Sequence, residues 1–223
     1  MKNLTLKFII IFLGCSISTN IYAQKSVKRY SIKSGKIIYT SKISSNILGC
    51  KSEGKGKEIV HFKNWGRWEV IEEKSIQKMN INVFGVKKTE EEKTHTKEIL
   101  KDNISYSVDY LNKEISEHKD MLLSSLAENG KNMTAEEFGR QTLESMGGKV
   151  VGKENIKGYQ CEVWEMPIGK QWIYKGIVLK VESKKMGVTM IKEAISVEFN
   201  CHVSNSVFNL PDFPRTKEEQ IFE

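Results

Sequence analysis

Residues 158–182, GYQCEVWEMPIGKQWIYKGIVLKVE, carry the clearest secondary-structure signal in this chain of 223 residues. Tyr159, Cys161 and Val163 occupy alternate positions, so they share one face of a predicted β-strand. Trp164 falls on the opposite face, which makes this strand apolar on both sides. The run MPIGK that follows is typical of a turn, and the next residues again favour strands. The stretch therefore predicts an antiparallel sheet with both faces covered.

The same alternation recurs along most of the chain and predicts further strands. One strand begins near Gly35, and two more flank a hairpin turn at Asn64, Trp65 and Gly66. A last long strand is predicted over residues 187–199. Alternating apolar residues occur in two further segments: Met79, Ile81 and Val83, and Ile104, Tyr106, Val108 and Tyr110.

The strongest helical pattern lies near residues 118–147, between two groups of strands. Thr134 and Glu137 have the spacing of a capping box, in which each side chain bonds the backbone amide of the other residue. A shorter helical segment is predicted over 121–128, and Gly147 is expected to end the main helix. Helices inserted between groups of antiparallel strands predict the α+β class in a single domain.

Two polar stretches are predicted to lie outside the regular strands. Residues 49–57 contain three glycines with alternating lysines and are expected to form a mobile loop. Their spacing does not match a phosphate-binding P-loop, which needs a Ser or Thr after its lysine. Residues 86–98 are a run of charges that we interpret as a solvated loop or as exposed strand ends.

The N-terminus has the pattern of a secretory signal peptide. Lys2 and Lys7 precede a short apolar run, and a polar segment leads to a cleavage site after Ala23. The prediction is therefore a signal peptide over residues 1–23 and a single mature domain over 24–223, located in the periplasm or outer envelope. The alternative is a lipoprotein anchored through Cys15, although Phe12 fits the lipidation motif poorly.

The charge composition argues against nucleic-acid binding. The formal net charge is +7, and it falls to +5 if the signal peptide with its two lysines is removed. Most basic residues are lysines interleaved with glutamates, whereas nucleic-acid binding favours a concentrated basic stripe with arginines and aromatics. We expect a solvated, mildly basic surface, which leaves weak attraction to anionic lipid headgroups open, and no transmembrane segment in the mature chain.

Cysteine and histidine placement gives no catalytic or metal signature. The mature chain has three cysteines, Cys50, Cys161 and Cys201, so one disulfide is possible in an oxidising compartment, with the pairing left open. There is no zinc-binding spacing and no nucleophile elbow, and the histidines are scattered. We expect a protein that is not an enzyme and needs no cofactor or metal ion.

Several segments together resemble a known family. They are GKIIY at 35–39, IVHFKNWGRWE at 59–69, MGGKVVGKENIKGYQCEVWE at 146–165, WIYKGIVLK at 172–180 and FNLP at 208–211. The chain resembles uncharacterised proteins secreted by Gram-negative bacteria, which carry a domain of unknown function related in fold to periplasmic lipoprotein carriers. The resemblance covers most of the mature chain. It implies a strongly curved antiparallel sheet, an unclosed barrel, with helices covering its concave side.

Carriers of this shape bind acyl chains, so we hypothesise a non-catalytic protein that binds a lipid or another hydrophobic ligand. The alternative is an envelope structural or protein-interaction module with a filled core and no ligand. A cavity of several hundred Å³ would favour the first hypothesis. The residues expected to line the pocket are Val60, Phe62, Trp68, Val70, Met79, Ile81, Val83, Tyr106, Val108, Phe138, Leu143 and Met146.

Overall fold

The computed structural model describes residues 28–48, 50–83, 86–119 and 135–217. The predicted signal peptide with Cys15, the predicted helix over 121–128 and Thr134 of the predicted capping box lie outside these residues. The division into a signal peptide and a mature domain therefore stays a prediction.

Twelve strands form one sheet with the order β12-β6-β5-β4-β3-β2-β1-β11-β10-β9-β8-β7. All neighbours are antiparallel except β12 and β6, which are parallel. The strands β12 and β7 end the order without pairing to each other, so the sheet is unclosed. The strands are β1 (Gly35–Ile47), β2 (Cys50–Lys63), β3 (Trp68–Val83), β4 (Val86–Lys101), β5 (Ile104–Asp109), β6 (Glu114–Lys119), β7 (Lys149–Ile156), β8 (Tyr159–Met166), β9 (Gly169–Tyr174), β10 (Ile177–Lys185), β11 (Val188–Phe199) and β12 (Arg215–Lys217).

The predicted hairpin turn at Asn64, Trp65 and Gly66 is confirmed. The three residues have φ values of 53°, 57° and 81°, the left-handed region that tight turns between twisted strands require. The Trp65 carbonyl accepts hydrogen bonds from the amides of Arg29 and Tyr30. The turn therefore also fixes the segment that leads into β1.

The predicted loop over residues 49–57 is wrong. Apart from Gly49, which lies outside the described residues, this stretch is the first half of β2 and pairs with both β1 and β3. The charge run over 86–98 likewise lies in β4, where Lys87–Lys93 are exposed. Backbone pairing with neighbouring strands holds these polar sequences extended, because the hydrogen bonds of a ladder do not depend on apolar side chains.

Within the described residues there is one α-helix, α1 (Ala135–Ser145). It ends as predicted: the Gly147 amide donates to the Glu144 carbonyl and the Gly148 amide donates to the Leu143 carbonyl. Gly147 has a φ of 81°, which a glycine adopts without steric cost. The α+β prediction with several helices overstated the helical part, since this fold is mainly a sheet.

The position of α1 corrects the prediction of a helical cover over the concave side. Arg140 of α1 donates to Glu162 on β8 at 2.6 Å, and its guanidinium lies 5.1 Å from the centre of the Trp164 ring. Cys161 and Val163, on the other face of β8, point into the sheet's main apolar cluster. The helix therefore packs outside that cluster.

The larger of two apolar clusters defines what we call the inner face of the sheet. It contains Ile32, Ile37, Tyr39, Val60, Phe62, Ile156, Cys161, Val163, Trp172, Ile177, Leu179 and Ala194. Phe62 is fully buried at its centre, with its ring 4.9 Å from that of Tyr30. These residues come from both halves of the strand order, which requires the sheet to fold around them.

The distances between aromatic rings on different strands show how strongly the sheet curves. Phe199 on β11 and Tyr159 on β8 are three strands apart in the sheet. Strand spacing alone would separate them by about 14 Å in a flat sheet. Their ring centres are nevertheless 4.8 Å apart, and Phe199 also stacks on Tyr174 of β9 at 5.7 Å. The sheet therefore bends strongly around its inner face.

The second cluster lies on the opposite, outer face, where the C-terminal segment covers β3–β6. Its buried residues are Val70, Ile99, Val108, Ile115, Val203 and Phe208. Phe208 ends a 3₁₀-helix (Asn205–Phe208), and its ring meets that of Trp68 edge-on at 5.4 Å. The chain then continues into β12, which pairs with β6. The C-terminal segment thus supplies the second layer that this part of the sheet needs to bury its apolar face.

Candidate functional site

A groove of about 480 Å³ runs along the inner face beyond the larger cluster. Strands β1, β2, β3, β10 and β11 all contribute to it, so the curvature of the sheet forms its walls. The lining residues are Tyr39, Ser41, Lys42, Ile43, Gly54, Lys55, Glu58, Glu73, Ser75, Ile76, Gln77, Val181, Met190 and Lys192. This volume falls within the range of small-molecule sites.

Small residues form the floor of the groove. Gly54 lies between Ile43 on β1 and Gln77 on β3 in the strand register. A Cβ atom at Gly54 would lie only 2.7 Å from the Ile43 Cγ2 atom. Ser41 and Ser75 occupy the neighbouring row, so no large side chain fills the centre of this surface.

One end of the groove is polar. Lys192 donates to Glu58 at 2.6 Å, and its ammonium group lies 4.8 Å from the centre of the Tyr39 ring. The Tyr39 hydroxyl donates to the Val178 carbonyl at 2.8 Å. Burial, together with the nearby carboxylates of Glu58 and Glu69, raises the pKa of Tyr39, so its hydroxyl stays protonated and keeps this bond.

The other end of the groove is apolar. Ile43 and Met190 line it, and both are half-buried, whereas Val181 lies opposite Lys192 in the register and therefore nearer the middle of the groove. The register of β2 and β3 places Met79 opposite Ser52 and Ile81 opposite Cys50, on the same inner face and closer to the strand tips. Met79 and Ile81 therefore extend this apolar strip beyond the groove itself.

The structure divides the predicted pocket residues between the two faces. Residues that pair across two strands share a face of the sheet. Because Trp68 of β3 pairs with Lys63 and not with Phe62, the side chains of Phe62 and Trp68 project from opposite faces. Val60, Phe62, Met79 and Ile81 are on the inner face, and the side chain of Val83 is outside the described part. Trp68, Val70, Tyr106 and Val108 are in the second cluster, under the C-terminal segment.

The predicted helical residues do not close the groove. Phe138 and Leu143 on α1 are half-buried, and Met146 just beyond it is 58% exposed. None of the eleven predicted residues whose side chains the structure describes lines the groove, although Met79 and Ile81 continue its surface. A sequence signal for the groove did exist, because Tyr39, Ser41 and Ile43 alternate in β1, and Ser41 and Ile43 lie opposite Gly56 and Gly54 of β2.

A histidine and a carboxylate do meet on the outer face. His95 Nε2 lies 2.9 Å from Glu72 Oε1, and the His95 ring stacks on Tyr110 at 4.2 Å. Burial opposes ionisation of Glu72, but the His95 hydrogen bond and nearby Lys74 and Lys97 together hold its pKa below the usual value. In the described residues no hydroxyl or thiol is hydrogen-bonded to His95, so the pair lacks an adjacent nucleophile.

A second cavity, of about 380 Å³, lies where β11 leads into the C-terminal segment. Its lining is largely polar and includes Lys63, Asn200 and His202. Within the described ranges, no three His, Cys, Asp or Glu side chains are grouped as metal ligands. Over the same ranges, no helix combines the length and the apolar character that a membrane span requires.

In the structure Cys50, Cys161 and Cys201 are free thiols, and the disulfide that the sequence permits stays a possibility with no pairing assigned. The fold keeps them apart. Cys50 is at the strand tips beside the β1–β2 turn, Cys161 is buried in the inner cluster, and Cys201 packs against the outer one. The sheet itself lies between Cys161 and Cys201.

Burial makes Cys161 a distinctive thiol, and we expect it to be the slowest of the three to alkylate. Desolvation raises its pKa to about 11, so the reactive thiolate is scarce at pH 8. Iodoacetamide labelling at pH 8, followed by peptide mass spectrometry, should show Cys161 reacting at least tenfold more slowly than Cys50 or Cys201. Equal labelling rates in the folded protein would contradict the placement of Cys161.

No protein-family model matches the chain, and no curated protein matches its sequence. Several solved structures have a similar fold. An uncharacterised conserved protein from Thermus thermophilus matches with 7% identity and a TM-score of 0.44, over 88% of this chain and 93% of that one. A β-barrel-like protein with a domain of unknown function, from Brucella abortus, matches with 11% identity and a TM-score of 0.34, over 77% and 100% of the two chains.

A putative outer membrane lipoprotein-sorting protein domain from Vibrio parahaemolyticus is a third match. Its identity is 10% and its TM-score is 0.29, over 81% of this chain and 92% of that one. These matches are similarities to a domain of unknown function and to a lipoprotein-sorting domain, the kinds of protein that the predicted resemblance names. Because every TM-score is below 0.5, they carry no conclusion about ligand or activity.

Proposed function

We propose that this protein binds a hydrophobic ligand, an acyl chain or lipid, in the inner-face groove and performs no chemistry on it. The observation that carries the proposal is the groove of about 480 Å³, left open by the small residues at its floor. Sites of this size bury most of the surface of a small ligand. Burial of each methylene group contributes about 0.8 kcal/mol, so even a short acyl segment would bind measurably.

The distribution of polarity along the groove favours an amphiphile. Ile43, Val181 and Met190 would contact the apolar part, with Met79 and Ile81 extending the contact toward the strand tips. The ion pair of Glu58 and Lys192 at the other end offers both a hydrogen-bond acceptor and a donor to a polar headgroup. A ligand with one apolar end and one polar end would match both ends of the groove.

We further propose that the protein acts in the periplasm or outer envelope. The predicted signal peptide over residues 1–23 supports this location, with cleavage after Ala23 or, as the alternative, anchoring through Cys15. Membrane lipids would be within reach there. N-terminal sequencing of the protein from the envelope fraction would distinguish a chain starting at Gln24 from a lipidated one.

Native mass spectrometry of protein isolated from that fraction tests the function directly. We expect a mass increment that disappears on solvent extraction and an acyl lipid in the extract. A chain recovered empty under gentle conditions, and again after incubation with extracted envelope lipids, would contradict the proposal.

Filling the groove should abolish binding. Ser41→Phe places an aromatic ring in the groove, and we expect its Kd for the fluorescent acyl probe 11-(dansylamino)undecanoic acid to rise at least tenfold. Thr40→Phe is the matched control, because Thr40 is the preceding residue of β1 and is exposed on the outer face. Equal affinities in the two variants, with circular dichroism showing both folded, would place the ligand elsewhere.

The packing of both clusters favours a second candidate, an envelope structural or interaction module without a ligand. Phe62, Val108 and Phe208 are fully buried, so the apolar interior is filled on both faces beside the groove. This candidate predicts an empty protein in the mass spectrum and no effect of Ser41→Phe on any envelope phenotype.

A further inference from the structure

The outer face of β1–β3, behind the groove, carries a concentration of lysines. Lys42 on β1 lies directly opposite Lys55 on β2, and Lys57 on β2 lies directly opposite Lys74 on β3. All four side chains are exposed. We call Lys42, Lys55, Lys57 and Lys74 the lysine patch.

This pairing of like charges is unfavourable in an antiparallel sheet. Side chains directly opposite each other have Cβ atoms about 5 Å apart, and like charges at such positions destabilise the pairing. Several lysines elsewhere face acids, as in Lys78 with Glu91 across β3 and β4 at 3.3 Å. The patch departs from this pattern at two adjacent pairs.

Ion pairs do not neutralise the patch within the described residues, and the acids nearest to it on this face besides Glu72, which are Glu53 and Glu193, lie opposite Lys78 and Lys180. Lys74 contacts Glu72 at 3.6 Å, but Lys42, Lys55 and Lys57 form no ion pair with any residue that the structure describes. Glu72 also receives the hydrogen bond of His95, so its charge is shared. Three lysine charges on two adjacent strands thus lack a partner within the described part of the fold.

We propose that the lysine patch docks the protein onto a membrane surface rich in anionic lipid headgroups. Charge complementarity identifies the occupant, since each lysine near an anionic bilayer contributes attraction and several together form a stable contact. The lysines are spread over an open sheet face, which suits a surface better than a single bound ion. Ile76 and Ile191 lie beside Lys55 and Lys42 in the register and could contact the interfacial region.

Other polyanions fit this surface less well. Nucleic-acid binding draws on arginines and on aromatic rings for stacking. In the patch all the cations are lysines, and its neighbours in the same rows are Thr40, Ile76, Ile191 and His95, whose ring is already stacked on that of Tyr110.

Docking through this face leaves the groove accessible. Lys42 and Lys55 border the groove, but strand alternation directs their side chains outward, whereas those of Ser41 and Ile43 project to the inner face. The proposal does not depend on the groove holding a ligand, so the two are tested separately.

Sedimentation with vesicles tests the proposal, using 30% phosphatidylglycerol in phosphatidylcholine and, for comparison, phosphatidylcholine alone. The test variant is Lys42→Gln, Lys55→Gln and Lys57→Gln combined. The control combines Lys113→Gln, Lys153→Gln and Lys157→Gln, which removes the same charge from exposed positions outside the patch. We expect about fivefold weaker binding per patch lysine removed, hence about a hundredfold for the test variant, and little change for the control.

The salt dependence of binding provides a second criterion. Raising the salt concentration from 0.1 M to 1 M shortens the screening length from about 10 Å to about 3 Å, so the wild-type protein should dissociate from the vesicles. Absence of binding to the anionic vesicles, or equal loss in both variants, would overturn the proposal. Binding to a single-stranded oligonucleotide tighter than to the vesicles would also overturn it. The fold of the test variant is expected to be intact, because the substitutions remove repulsion.

Discussion

Phe62→Ala should lower the free energy of unfolding by about 3–5 kcal/mol, the range for removing a buried aromatic ring. Phe62 is fully buried at the centre of the inner cluster, where its ring contacts those of Tyr30 and Phe199. It also covers Gly35, since a Cβ atom there would lie 2.7 Å from the Phe62 ring. The cavity left by the substitution would be lined by rigid strands and could collapse only partly.

Urea denaturation followed by tryptophan fluorescence measures this loss. Ile195→Ala is the control, because Ile195 is 48% exposed on β11 and its truncation should change stability by less than about 0.5 kcal/mol. The loss of stability in Phe62→Leu should lie between those of Phe62→Ala and Ile195→Ala. This variant gives the measurement if Phe62→Ala does not fold. A loss below about 1 kcal/mol for Phe62→Ala would show that the inner cluster is not packed as described.

Phe208→Ala should have a similar effect, about 3–5 kcal/mol, and should also loosen the C-terminal segment. Phe208 is fully buried against Trp68, and Lys63 lies over both rings, 4.8 Å and 4.3 Å from their centres. Downstream, the Pro214 carbonyl accepts a hydrogen bond from the Ile115 amide. Losing the ring removes the anchor that holds this segment over the outer face.

Hydrogen–deuterium exchange separates the two consequences. In Phe208→Ala we expect faster exchange in residues 205–217 and in β6, whose edge β12 otherwise covers. Leu111→Ala is the matched control, since Leu111 is 58% exposed in the turn between β5 and β6. Unchanged protection in β6, together with an unchanged urea midpoint, would contradict the role of Phe208 as the anchor.

Alternation in the sequence was sufficient to locate most strands, because each is apolar on at least one side. The first half of β2 was missed because it carries charged and small residues and takes its conformation from its neighbours. For the charge run in β4 the sequence left a loop and exposed strand ends open, and the structure shows the exposed strand. The end of α1 was predictable from Gly147 and Gly148, since a left-handed C-cap is a local property. The number of helices that cover the sheet was not predictable from local sequence.

The pocket prediction shows where local patterns stop being informative. Val60 and Phe62 alternate in β2, and Trp68 and Val70 alternate in β3, so all four were placed on one concave surface. In the structure the pairing of Lys63 with Trp68 puts the two sets on opposite faces. Each strand's pattern is visible in its sequence, but its phase relative to the next strand depends on the turn that joins them.

The sequence by itself determined that this chain forms an antiparallel sheet, with a hairpin at Asn64–Gly66, a helix ending at Gly147 and a strand at 159–166 that is apolar on both sides. Turn conformation and alternation are local properties, and neighbouring residues encode them. Only the tertiary structure decided which faces meet, that the sheet bends until Phe199 reaches Tyr159, and that a groove stays open over Gly54. These features depend on register and curvature summed over five or more strands, which no single segment of the chain contains.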